Sequence, residues 1–211
     1  TLAIRPKTGE IVWYYHHIPG ETIDMEVGFE RVLATIDDER YVFTVGKDGV
    51  LWQLSAKDGQ YVAHMETMPQ DIFAHIDPDN GQVTYRQDIR EAGIGDTFKV
   101  CPGIYRGHNW QSMAYVSQLE RLILPLHQLC GEMTGRQVER EIGEGGFGGL
   151  RCAIGPGVLR RHTVREGGKG RGQRAEEGKA GLMHIVRVGH GRDFDHPLVG
   201  HIPGVAPAGT H

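Results

Sequence analysis

The sequence predicts an all-β fold laid out as an antiparallel meander, and three observations carry that prediction. Short runs rich in β-branched and aromatic residues recur through residue 150, tight-turn residues separate them, and a small unit repeats. That unit, a turn ending in Gly followed by a strand-like run, occurs at Thr8-Gly9, Asp58-Gly59 and Asn80-Gly81. β-branched and aromatic side chains fit a pleated, half-buried surface, whereas Gly, Asn and Asp accept the positive backbone angles of tight hairpins.

Taken in order, Glu10 to His16 is the first run, with Trp13 four residues after Gly9. Arg40 to Val45 follows the Asp37-Asp38 turn, and Val50 to Leu54 follows Lys47-Asp48-Gly49. Gln60 to Met65 follows Lys57-Asp58-Gly59, and Gln82 to Arg86 follows Asp79-Asn80-Gly81. Each pairing of turn and run reads as one limb of a hairpin.

Composition divides the chain in two. Residues 1–150 hold 13 Lys and Arg against 22 Asp and Glu, with all three tryptophans and all seven tyrosines. Residues 151–211 reverse the charge, with 10 Lys and Arg against 5 Asp and Glu, and contain six of the twelve histidines but no Trp or Tyr. A segment so poor in aromatics is expected to be an irregular tail without a stable fold, through a shifted reading frame or a foreign extension. Two functional readings of it compete with that one: an arginine-glycine tract at Gly167 to Arg174, and a metal-binding stretch at His184, His190, His196 and His201.

Several function classes find no support. The acidic body argues against nucleic acid as a partner, and no Gly-rich phosphate loop follows a strand and opens a helix. No serine sits in a nucleophile elbow. No apolar run approaches the roughly 18 residues that a membrane helix needs, and Thr1 to Arg5 lacks the zones of a signal peptide. Cys101 and Cys130, 29 positions apart, read equally as free core thiols or as a bridge.

Pro19-Gly-Glu-Thr-Ile-Asp24-Met-Glu26, preceded by the Gly9 turn and Trp13, is followed by Val45-Gly-Lys47-Asp-Gly-Val-Leu-Trp52 and by Cys101-Pro-Gly-Ile-Tyr-Arg-Gly-His-Asn109-Trp110. These three blocks resemble the active-site half of the quinoprotein alcohol dehydrogenases, which use pyrroloquinoline quinone (PQQ) and a bound metal inside an eight-bladed β-propeller. The likeness covers roughly residues 1 to 150 and still includes the glycine-rich Gly143 to Gly149. Blades of four strands take about 40 to 50 residues, so the resemblance implies a partial propeller of about three blades, a fragment of a longer protein.

The resemblance also assigns roles. Asp24 would be the general base and, with Glu26, a metal ligand for calcium or a lanthanide, the second carboxylate suiting a hard trivalent ion. Lys47, by itself a hairpin lysine directed to water, would contact the quinone and stabilise negative charge on it. Asn109 would hydrogen-bond the cofactor, and Trp110 would pack within a blade. Cys101 and Cys130 would be disulfide-bonded, as an oxidising periplasm permits. Small primary alcohols would be the substrates and a cytochrome c the electron acceptor. A non-enzymatic quinoprotein-like propeller that binds proteins is the alternative, and the joint presence of Asp24, Lys47 and Asn109 separates the two readings, since a scaffold has no use for that set.

Overall fold

A computed structural model describes residues 1–137, 150–153, 181–189 and 195–200. It is nearly all sheet. The first hairpin pairs β1 (Leu2–Ile4) with β2 (Ile11–Tyr14). A complete four-stranded antiparallel meander follows: β3 (Val32–Ile36), β4 (Glu39–Val45), β5 (Val50–Ser55) and β6 (Tyr61–Glu66). Asp37 and Asp38 form the two-residue turn between β3 and β4, both at positive φ, as the sequence anticipates for aspartates in a tight hairpin.

Next come the β7 (Phe73–Ile76) and β8 (Val83–Tyr85) hairpin and the short helix α1 (Gln87–Glu91). β9 (Thr97–Val100) pairs with β12 (Gly131–Gly135), which pairs with β13 (Leu150–Ala153). The last sheet runs β10 (Ala114–Val116), β11 (Arg121–His127), β14 (Gly181–Arg187) and β15 (Asp195–Gly200), all antiparallel. At 150–153, 181–187 and 195–200 the backbone is extended and paired, and β14 and β13 fill the edges that β11 and β12 present. Gly143 to Gly149, Gly167 to Arg174, His190 and His201 lie outside the described residues.

The meander β3–β6 is buried on both faces, because two hydrophobic clusters flank it. Val50 and Trp52 face a cluster with Met25, Ile72, Phe98 and Met133. Phe43, Val45 and Leu51 face another with Met113, Leu122, Leu124, Leu126 and Val186. A sheet covered on both sides by neighbouring sheets is how a propeller blade buries its apolar surface without a helical layer.

The repeated Gly-turn unit links one sheet to the next. The Trp13 ring covers Gly59, where an added Cβ would lie 2.4 Å from the ring, and its Nε1 donates to the Ala56 carbonyl at 3.1 Å. At φ +73 and under an indole, position 59 accepts only glycine. One repeat later Tyr61 sits over Gly81 in the same manner, so a tyrosine takes the place that the first copy fills with tryptophan.

Cys101 and Cys130 form a disulfide that ties the end of β9 to the start of β12. Closing a loop of this separation stabilises by restricting the unfolded chain, so reduction or Cys130→Ser is expected to cost about 3 kcal/mol, read as a lower urea midpoint with reductant than without.

Candidate functional site

Three segments distant in sequence meet around Lys47. The first is the loop from Pro19 to Gly28. Its Glu21 carboxylate accepts from the Ile23 and Met25 amides at 2.5 and 3.0 Å, which fixes the turn that lifts Asp24 into the left-handed region at φ +66. Ile23, Met25 and Val27 are buried, so the alternating Asp24 and Glu26 emerge on the opposite side together.

The second segment is the turn between β4 and β5. Gly46 lies so close to residues 26 and 27 that an added Cβ would come within 2.8 Å of the Glu26 carbonyl oxygen and Val27 Cα. The Lys47 amide donates to the Glu26 carbonyl at 3.4 Å. The Lys47 side chain does not reach into water, as a hairpin lysine would. It is 7% exposed, and its Nζ contacts Glu26 Oε1 at 2.7 Å and Asp24 Oδ1 at 3.1 Å. Burial pushes the Glu26 carboxyl up, and the adjacent Asp24 carboxyl adds to that push against the opposing pull of Lys47.

The third segment is Gly107 to Trp110. Gly107, at φ +68, stacks its Cα on the Lys47 peptide, and the His108 amide donates to the Gly46 carbonyl at 2.9 Å. This backbone contact brings Asn109 to the site. Asn109 is 6% exposed, and its Oδ1 is buried without a hydrogen-bond partner among the described residues. Asp24, Glu26 and Lys47 thus touch through their side chains, whereas Asn109 reaches the group only through its neighbours' backbone. Trp110 differs from the expected blade packing: it is 86% exposed, because the turn that directs Asn109 inward directs the next side chain outward, with Phe29 edge-on at 6.3 Å.

Beneath Lys47 lies a group that sequence reasoning treated only as a turn residue. Asp48 is wholly buried, and its carboxylate accepts from the Val50 amide at 3.1 Å and from Trp52 Nε1 at 3.4 Å. Burial pushes its carboxyl up to about 7, against the pull of those donors. Glu26 also lines an open cleft of about 330 Å³ with Tyr15, His17 and Glu21; Asp24, Lys47 and Asn109 do not line it. Among the described residues no three His, Cys, Asp or Glu side chains converge as a metal site. No helix among them is long and apolar enough to cross a membrane.

No protein-family model matches the chain. A quinone alcohol dehydrogenase, dehydrogenase subunit, of Acetobacter aceti is 27% identical over 134 residues, which is 61% of this chain and 18% of the relative. Lupanine 17-hydroxylase (cytochrome c) of a Pseudomonas species is 25% identical over 129 residues, 59% of this chain and 19% of that protein. Among solved structures, a europium-containing methanol dehydrogenase superposes with TM-score 0.68 at 17% identity, covering 96% of this chain and 33% of the other. The chain resembles the quinone-dependent alcohol dehydrogenases. Its sheets are blades of their all-β propeller, and it spans about a fifth of the length of the curated relatives it matches.

Proposed function

We propose that this chain carries one side of the active site of a periplasmic PQQ-dependent alcohol dehydrogenase that oxidises primary alcohols, and that it is a piece of the longer enzyme. The observation that carries the reading is the contact of the Asp24 and Glu26 carboxylates with the Lys47 ammonium, at 3.1 and 2.7 Å, while Asn109, whose Oδ1 has no partner among the described residues, lies on the segment that packs on the Lys47 turn. A buried oxygen lacking a donor fits a bound group that brings one, and an ammonium fits a ligand rich in carbonyl and carboxylate oxygens.

The metal set is fitted only in part. Calcium takes about six to eight oxygens, and the Asp24 and Glu26 carboxylates supply at most about four. The remaining ligands would come from blades outside this chain. When bound, the quinone would accept a hydride while a calcium or lanthanide ion polarised its carbonyl as a Lewis acid.

Asp24 would take the proton of the alcohol hydroxyl, and Glu21 holds the turn that aims its carboxylate. Lys47 would stabilise negative charge gathering on the cofactor's oxygens. Asn109 would fix the cofactor's orientation through its amide. A cytochrome c would receive the electrons, as the name lupanine 17-hydroxylase (cytochrome c) states for that relative.

PQQ titrated with calcium or lanthanum, followed by tryptophan quenching, tests the reading. Lys47→Gln and Asn109→Ala are each expected to weaken binding about tenfold, near 1.4 kcal/mol. Undiminished affinity in both variants would remove the quinone site. The chain alone is expected to show no alcohol-dependent dye reduction, and turnover by it would refute the incompleteness of the metal set.

A further inference from the structure

His108 is fully buried, and both of its ring nitrogens face oxygen acceptors. Nδ1 lies 3.2 Å from the Pro125 carbonyl oxygen, which cannot donate. Nε2 lies 3.2 and 3.3 Å from the two Glu30 carboxylate oxygens. The Glu30 carboxyl is held ionised: burial pushes it up, but the Met113 amide, its own amide and His108 together outweigh that and bring it below the ordinary range.

Glu30 is tied on several sides. Its Oε1 accepts from the Met113 amide, and its carbonyl accepts from Thr44 Oγ1 at 3.1 Å. His108 in turn gives its amide to the Gly46 carbonyl and presents its ring to the edge of Phe29. One residue therefore links, through its carbonyl and its carboxylate, the loop bearing Asp24 and Glu26, the strand leading to Lys47, and the segment bearing Asn109.

We propose that Glu30 is a positioning residue that, through its contacts with the His108 ring and the Met113 amide, clamps the Asn109 segment onto the Lys47 turn. The clamp stands on geometry alone; its service to a quinone rests on the function proposed above. Lacking it, Asn109 would keep its place in the chain but lose its fixed distance from Lys47.

Amide-proton exchange in the full chain near neutral pH tests this. Glu30→Ala is expected to speed exchange of the His108 and Met113 amide protons by at least about tenfold. Glu30→Asp, one methylene shorter, is expected to speed both to a smaller extent, and Glu30→Gln, which keeps a side-chain oxygen for the Met113 amide, is expected to hold that amide near the unaltered rate. Unchanged exchange in Glu30→Ala overturns the proposal. Should the alanine variant not fold, Glu30→Asp decides, and exchange unchanged in it overturns the proposal. If the unaltered protein binds no PQQ while loss of Glu30 speeds both amides, the quinone reading fails and the clamp stands.

Discussion

Gly107→Ala is expected to destabilise the chain by about 4 kcal/mol, combining roughly 1–2 for a left-handed alanine with roughly 1–3 for overpacking. An alanine Cβ would sit 2.2 Å from the Lys47 carbonyl oxygen, 2.6 Å from its carbonyl carbon and 2.8 Å from the Gly46 oxygen. All three are backbone atoms, so no side chain can rotate out of the way. Relief requires the 107–110 segment to lift, which would break the His108 to Gly46 hydrogen bond and carry Asn109 off with it. A thermal melt is expected to fall by roughly 8 to 16 °C. A shift within about 2 °C would mean that the two segments are not in contact.

Asp48 gives the second large effect, in the pH dependence of stability. Its carboxyl is pushed up to about 7 in the folded protein, against 3.8 for an unperturbed Asp. Between those values the folded state holds a proton that the unfolded state has released, so its contribution falls as pH rises and is fully lost above about 7. The difference is on the order of 4 kcal/mol. Asp48→Asn never ionises and resembles the protonated acid in shape, so the variant is expected to gain on the unaltered protein steadily from pH 4 to about pH 7 and to hold that gain above it. His17, pushed down to about 3 mainly by burial, titrates in the opposite sense but is common to both proteins. Urea midpoints at several pH values therefore isolate Asp48 as a difference, and a difference that stays flat across this range refutes the assignment.

Local rules of the chain were legible from sequence; cross-chain contacts were not. Asp37-Asp38, Gly59 and Gly81 announced their turns, because a positive φ is a property of one residue and its type. The runs at β4, β5 and β6 announced themselves by composition. Gly107, by contrast, is required by a peptide 60 positions earlier, and Asp48 matters because of the packing that closes over it. Nothing in Lys47-Asp-Gly separates a solvated turn from a buried one. The Glu30 and His108 pair was equally invisible, since residues 78 apart carry no shared pattern. Asp24, Glu26 and Lys47 stood out only because their surrounding blocks resemble a family, and their mutual contact is a property of the folded chain. The pairing of residues 150–153 with β12 and of 181–187 with β11 is likewise a contact between segments that share no sequence pattern.

The ring that Trp13 lays on Gly59, and the one Tyr61 lays on Gly81, make a sequence of plugs and sockets in which each repeat is gripped by the one before it. Damage to one socket should loosen a single joint, leaving the next intact, so that unravelling spreads stepwise between adjacent units instead of all at once.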